Sequence, residues 1–288
     1  MKQHLWRILI ALLVIAGLGL ILYPIVSDQM HRSKAAVLIV EYTDEVQKKN
    51  EAERKQMLQD AMDYNTRLAD GSVLPDEEGN VPGYDSILDV TGTGIMGYLD
   101  IERIGVQLPI YHGTDNGVLQ IGVGHINYSS LPVGGESAHC VLSGHRGLPS
   151  AKLFTDLPEL AIGDEFTITV MGRVMTYRVD QIKTVLPTEL DDLQIVEGKD
   201  YCTLVTCTPY GVNSHRLLVR GERVLDGEVD RPRVMVTNEA IQVEPFIVAT
   251  FLAVPLLLGV IIFVSLHGRE KKPRKKEGEV HEKSETLQ

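Results

Sequence analysis

The segment TLVTCTPYGVNSHRLLVRG, residues 203–221, contains two apolar runs of alternating character joined by turn-forming residues. Successive side chains of a strand point to opposite faces, so Cys207 should share one face of the first run with Val205. The residues between the runs are rich in Pro, Gly and Asn, which predicts a turn, and Arg216 opens the return run. A hairpin of this kind places Cys207 and Arg216 near each other at the end of a sheet.

A thiol and a guanidinium in this position suggest nucleophilic chemistry. Cysteine becomes a nucleophile when a nearby cation or base stabilises its thiolate. Arg216 supplies a fixed positive charge but cannot exchange protons near neutral pH, so a histidine is also needed. His145, in VLSGHRG, ends an apolar run between glycines and is the best placed, whereas His215 should point away from Arg216. We predict a site of Cys207, His145 and Arg216; the alternative is an inert core thiol beside a surface His and Arg.

The two other cysteines, Cys140 and Cys202, lie inside apolar runs with no cation nearby in sequence. They are interpreted as core residues or as a disulfide pair. Three is an odd number of cysteines for an exported domain, so at least one thiol is free or pairs between chains. The remaining candidates for metal ligands lack the close spacing of zinc motifs, so we predict no metal and no cofactor. These candidates are His112, His125, His139 and Cys140.

Two apolar runs frame the polar part of the chain. Residues 5–26, LWRILIALLVIAGLGLILYPIV, are long enough to span a bilayer, and the lack of a small-residue cleavage site favours an uncleaved anchor over a signal peptide. Residues 246–266 carry no charge and precede the basic run REKKPRKK, residues 269–276. Basic flanks mark the cytoplasmic side of a span, so both termini are predicted inside and residues 28–245 outside.

The charge balance fits an exported domain. The chain between the basic ends carries 19 Lys and Arg against 34 Asp and Glu, a net charge of about −15. This balance argues against nucleic acid as a partner. The lipid bilayer is the predicted partner of the two spans, and the basic tail is suited to contact with anionic lipid.

The polar part changes character along its length. Residues 28–69 have apolar residues at near-helical spacing and predict one or two amphipathic helices, with a solvated stalk as the alternative for the polar middle. Residues 70–93 read as a long loop. Short β-rich runs then follow, interrupted by one helical stretch, SAKLFTDLPEL at 150–160. Seven or eight short strands predict a mainly β fold, a closed or nearly closed barrel.

Three motifs give this chain a resemblance to a known family. They are LPIYHGT at 108–114, GHRGLPSAKLFTDL at 144–157 and TCTPYGVNSHRLLVRGER at 206–223. In this order they are similar to the class C, pilus-assembling branch of the sortases, over roughly residues 95–226, and two flanking spans suit that branch. The resemblance implies a sortase-like eight-stranded β-barrel.

The resemblance also implies a reaction. Cys207 would attack an LPXTG-like sorting signal between Thr and Gly, His145 would act as general acid and base, and Arg216 would steady the substrate and the oxyanion. The acyl group would pass from the thioacyl enzyme to an amine, a pilin lysine, without a cofactor, at the outer face of a Gram-positive-type cell. The alternatives are a housekeeping-type sortase that attaches surface proteins to cell-wall peptide and a noncatalytic, membrane-tethered β-barrel.

The predicted organisation has seven parts. They are a membrane anchor (1–27), a helical arm (28–69), a loop and possible lid (70–93), the catalytic barrel (94–226), a connector (227–245), a transmembrane helix (246–266) and a basic cytoplasmic tail (267–288).

The possible lid departs from the family pattern. Pilus sortases commonly carry an Asp-Pro-aromatic tripeptide there, and the nearest match, Leu74-Pro75-Asp76, has the order inverted. With few aliphatic residues before Tyr84, the loop is expected to be held by few contacts and to open often. The alternative is a spacer between the helical arm and the barrel.

Overall fold

A computed structural model describes residues 2–73, 81–225 and Gly259. The chain divides into two compact units: one contains residues 1–18 and 235–288, and the other contains residues 19–234 and hence the barrel. Several predicted parts lie outside the described residues. These are the connector 227–245, the basic tail 267–288, the transmembrane run 246–266 apart from Gly259, and residues 74–80 of the loop.

Two helices precede the barrel, α1 at Lys2–Lys48 and α2 at Glu51–Ala69. α2 begins with a reciprocal cap, because the Asn50 side chain accepts from the Glu53 amide at 2.9 Å and the Glu53 carboxylate accepts from the Asn50 amide at 2.8 Å. In α1 a stripe at helical spacing is buried against the barrel: Ala35, Ile39, Tyr42 and Val46. The predicted helical arm is thus two helices, and the first continues without a break from the predicted anchor.

Among the described residues, only α1 is long and apolar enough to cross a membrane. The segment with this property lies within Ala11–Lys48. Its most apolar part has a mean hydropathy of 2.0, and none of that part is buried. This finding agrees with the predicted N-terminal anchor by length and composition. The predicted second span falls outside the described residues.

Eight strands form one closed barrel in the order β1-β2-β3-β4-β7-β8-β6-β5, which confirms the predicted fold class for this part of the chain. The strands are β1 Ile95–Ile101, β2 Val106–His112, β3 Val123–His125, β4 Ala138–Ser143, β5 Glu165–Val170, β6 Arg173–Val185, β7 Asp200–Thr208 and β8 His215–Arg223. A short helix, α3 at Asn116–Leu119, lies between β2 and β3. The connection from β6 to β7 crosses between the ends of the barrel, so β4 and β7 run parallel.

The predicted helix over 150–160 is wrong. The structure has turns there and only a 3-10 turn at Leu157–Glu159. Leu153 adopts a positive φ of 43°, which a right-handed helix cannot contain, and Pro158 has no amide proton to donate. The apolar spacing instead reflects burial of Leu153, Phe154 and Leu157 in the core.

The barrel interior is filled by apolar side chains that alternate with outward-facing ones along each strand. On β7, Cys202 and Leu204 belong to the main core, whereas Val205 packs on the other face with Val141 and Leu218. Full burial of one such side chain contributes roughly 1.5–3 kcal/mol, so the inward set fixes the register of each strand. The register in turn fixes which residues meet at the barrel ends.

Residues 81–94 contain the described C-terminal part of the possible lid, 81–93. They are firmly packed, and the expectation of few contacts is wrong for them. Val81, Tyr84 and Leu88 are buried in the main core. The Tyr84 hydroxyl accepts from the Gly113 amide at 3.1 Å and donates to Nδ1 of His125 at 2.8 Å. The aromatic ring of Tyr84, with its buried polar partners, secures this segment together with the aliphatic Val81 and Leu88.

Candidate active site

Cys207 and Arg216 are direct register partners on the antiparallel strands β7 and β8. Directly opposed side chains on one face have Cβ atoms about 4.5–5.5 Å apart. Both residues are partly exposed at the end of the barrel. The structure therefore brings together the thiol and the guanidinium that the hairpin pattern predicts.

His145 follows the end of β4, which pairs in parallel with β7. Ser143 is the partner of Val205, and the Gly144 amide donates to the Val205 carbonyl at 3.0 Å. Continued for two residues beyond the strand end, this register would bring His145 opposite Cys207. The structure thus brings the three predicted residues to the same end of the barrel: Cys207 on β7, Arg216 on β8, and His145 two residues after the end of β4.

The backbone on both sides of His145 is held in place. Its carbonyl accepts from the Phe154 amide at 3.0 Å, and the Thr206 hydroxyl donates to the Gly144 carbonyl at 2.8 Å. A Cβ at Gly144 would lie 2.6 Å from Cδ2 of the buried Phe154 ring, so only glycine fits there. The glycine that precedes His145 is a packing requirement as well as a sequence signal.

The guanidinium of Arg216 is oriented by the hairpin turn. Its Nη1 donates to the carbonyls of Asn213 at 3.2 Å and His215 at 3.1 Å. The ring of His215 lies instead within hydrogen-bond distance of the Ser214 hydroxyl, 2.9 Å from Nδ1. Two backbone acceptors fix the plane of the Arg216 fork beside Cys207.

Arg146 is a second cation at this end of the barrel, and sequence reasoning missed it. Its Nη1 donates to the Thr208 hydroxyl at 3.2 Å, and its guanidinium carbon lies 5.9 Å from the centroid of the Tyr210 ring. The available signal was its place directly after His145 in the GHRG motif. Arg146 links the loop after β4 to the β7–β8 turn.

The other two thiols face each other inside the barrel. Cys140 and Cys202 are register partners on β4 and β7, both are buried and both are free. Burial, together with the hydrogen bond to Cys140, raises the pKa of the Cys202 thiol well above its usual value. Of the two alternatives left open by the sequence, the structure has core thiols. Within the described ranges, no three His, Cys, Asp or Glu side chains are grouped as metal ligands.

Comparisons with known proteins agree with this geometry. Residues 99–224 match the family model described as the sortase domain. The crystal structure of sortase C1 from Streptococcus agalactiae is 49% identical, with a TM-score of 0.62, over 66% of this chain and 99% of that chain. A Clostridium perfringens sortase C, solved with the C-terminal cell wall sorting motif, is 40% identical with a TM-score of 0.59 over 66% and 99%.

A curated relative shows the same likeness in sequence. Sortase D of Bacillus subtilis is 33% identical over 131 residues, which cover 44% of this chain and 63% of that protein. The chain thus spans less than two thirds of the length of that relative. The fold and the thiol site define a protein of the cysteine transpeptidase class. The chain belongs to the sortase family, and its structural neighbours are class C sortases.

Proposed function

We propose that this protein is a membrane-anchored, class C-type sortase that joins an LPXTG-like sorting signal to an amine, the lysine of a pilin. The observation that supports the proposal is the strand register, which sets Cys207 opposite Arg216 and brings the end of β4, two residues before His145, alongside β7. The sorting motif in the structure of the C. perfringens relative supports the substrate class.

In the first half of the proposed reaction, the Cys207 thiol gives its proton to His145 and its sulfur attacks the threonine carbonyl carbon. The C–N bond to glycine then breaks, and His145 passes the proton to the leaving glycine amine. In the second half, an incoming amine attacks the thioester carbon and gives a proton to His145. The C–S bond breaks, and His145 returns that proton to the sulfur, which restores the thiol of Cys207.

Arg216 has the geometry to stabilise the oxyanion in both halves. Its Nη1 is held by the hairpin carbonyls, so the fork is oriented before substrate arrives and costs little reorganisation.

The proposed location follows from the N-terminal helix. The apolar run 5–26 anchors the protein in the cell membrane, and the barrel lies on the extracellular side. The uncharged run 246–266 crosses back, so that the basic tail 267–288 lies in the cytoplasm.

Covalent capture of a peptide tests the reaction. The full-length protein is incubated with a peptide containing Leu-Pro-x-Thr-Gly, and mass spectrometry locates the acyl adduct. We expect the adduct on Cys207, its loss in Cys207→Ala, and its retention in Cys140→Ala, whose side chain lies inside the barrel. His145→Ala should abolish turnover. An adduct in Cys207→Ala, or none in the native enzyme, would exclude the proposed reaction and favour the noncatalytic barrel.

Acceptor competition separates the two enzymatic alternatives. The acyl enzyme is offered a pilin fragment with an accessible lysine and, in equal concentration, a cell-wall peptide with a free amine. Transfer to the lysine supports pilus polymerisation, whereas preferential transfer to the cell-wall peptide supports the housekeeping-type alternative.

A further inference from the structure

The end of the barrel that carries the site can be defined from strand directions alone. β4 and β7 both end there, and β8 begins there. The strand pairings around the barrel place three connections at the same end as the site. We call this end the site rim, and its connections are the β1–β2 turn 102–105, the β4–β5 loop 144–164 and the β7–β8 turn 209–214. The β3–β4 connection and the β5–β6 turn lie at the opposite rim.

The helix α1 meets the site rim near its middle, at Asp28. The Lys152 amide, in the β4–β5 loop, donates to Oδ1 of Asp28 at 2.7 Å. Fourteen residues further along α1, the Tyr42 hydroxyl donates to the carbonyl of Met96 at 2.9 Å and accepts from the amide of Met171 at 2.9 Å. Met96 is the second residue of β1, near the opposite rim, and Met171 lies in the β5–β6 turn. α1 therefore runs from the site rim to the opposite rim.

The proposed anchor ends immediately before this contact. Val26, the last residue of the apolar run, is two residues from Asp28, a rise of about 3 Å along a helix. The side chains of Leu20, Ile21, Tyr23 and Val26 are all exposed in the structure. The inference below rests on the proposed anchoring, because a membrane that surrounds this segment must lie against the site rim.

The site rim exposes large apolar side chains where that membrane would lie. At the tip of the β7–β8 turn, Tyr210 is 61% exposed and Val212 is 69% exposed. Ile162, in the β4–β5 loop, is exposed as well. Tyrosine is enriched at membrane interfaces because its ring is apolar and its hydroxyl is polar. Arg146, near the ring of Tyr210, adds a cation suited to lipid phosphates.

We propose that the site rim faces the bilayer and that the β7–β8 turn enters its interface through Tyr210 and Val212. Cys207 lies two residues before the first residue of this turn, so its thiol then lies at the membrane surface. In this placement the β7–β8 turn contributes to acylation by a sorting signal that is held in the membrane, and not to acylation by the same motif in a soluble peptide.

Depth-dependent quenching of a single tryptophan tests the placement. The chain has one tryptophan, Trp6, so Trp6→Phe provides a background for Tyr210→Trp and for a matched control, Tyr128→Trp. Tyr128 is 51% exposed and lies in the β3–β4 connection at the opposite rim. Each full-length variant is reconstituted in vesicles of phosphatidylcholine and phosphatidylglycerol with brominated acyl chains. We expect shallow bromines to quench the tryptophan of the Tyr210→Trp variant several-fold more strongly than that of the Tyr128→Trp variant.

Flotation and activity separate this inference from the proposed function. Protein that fails to float with the vesicles refutes the anchoring and the inference with it. Protein that floats with equal quenching at both positions keeps the anchoring and refutes the inference. The double variant Tyr210→Ser, Val212→Ser should lose several-fold in acylation by a vesicle-embedded sorting signal and keep its rate with a soluble peptide. Equal effects of the double variant on both substrates would also overturn the proposal. Absence of any acyl adduct would refute only the proposed reaction, because tryptophan quenching does not depend on acylation.

Discussion

The buried hydroxyl of Thr206 donates a hydrogen bond of 2.8 Å to the carbonyl oxygen of Gly144. These residues directly precede Cys207 and His145, so this bond ties the end of β4 to β7 at the proposed site. A displacement of about 1 Å between reacting groups can cost up to about 100-fold in rate. We therefore expect Thr206 to position both groups of the proposed site.

Replacement of Thr206 separates positioning from packing. Thr206→Val keeps the shape of the side chain but leaves the Gly144 carbonyl without its buried donor. We expect the free energy of unfolding to fall by about 1–3 kcal/mol and the rate of peptide acylation to fall by about 10- to 100-fold. Thr206→Ser should retain most of both. Denaturant unfolding and single-turnover kinetics provide the two readouts, and equal acylation rates for Val and Ser would disprove the positioning role.

Arg216→Lys keeps the charge but loses the planar fork. Nη1 of Arg216 bonds two hairpin carbonyls, and a lysine ammonium cannot keep these bonds and present a second nitrogen to the oxyanion. We expect acylation to fall by about 100-fold, the scale seen on removal of one oxyanion donor. His215→Ala, one residue away, should change the rate little. Native turnover in Arg216→Lys would show that only the charge is used.

Tyr84→Phe tests how residues 81–94 are held. The change removes one hydroxyl and leaves the Gly113 amide and Nδ1 of His125 without their buried partner. We expect a loss of about 1–3 kcal/mol in the free energy of unfolding and faster hydrogen exchange at the Gly113 amide. Tyr210→Phe, at an exposed position, is the control and should be nearly neutral. Unchanged exchange at Gly113 would mean that packing of the ring alone secures the segment.

His139 should make stability depend on pH. Burial lowers the pKa of His139, whose Nδ1 donates to the Gln194 carbonyl and whose Nε2 accepts from the Thr203 hydroxyl. A depressed pKa in the folded state contributes stability that is present above the ordinary value of about 6.5 and is lost as pH falls through the folded value. The urea midpoint should drop between pH 7.5 and 5.5, and less so in His139→Gln. An equal drop in the variant would assign the dependence to other groups.

The sequence predicts local parts of this structure better than distant ones. The β7–β8 hairpin follows from alternation and turn residues, so Cys207 and Arg216 could be paired from their spacing. His145 was predicted from its place at the end of an apolar run between glycines, but the pairing that brings it to Cys207 could not be, because β4 meets β7 through a parallel pairing across more than 60 residues. β3, with three residues, is too short for a periodicity signal. Tyr84 and His125 meet only in the folded barrel, so the firm packing of residues 81–94 was missed.

The parallel pairing of β4 with β7 has a consequence for the newly exported chain. A parallel pair cannot be closed by a tight turn, and the Gly144–Thr206 bond joins residues 62 apart. The hairpin that carries Cys207 and Arg216 needs only nearby residues, whereas His145 reaches it when the barrel closes. In the proposed reaction, a chain still emerging through the membrane therefore carries the Cys207 thiol without its acid–base partner. Closure of the barrel would act as a maturation step, so that a sorting signal can acylate Cys207 only when folding of the enzyme is complete.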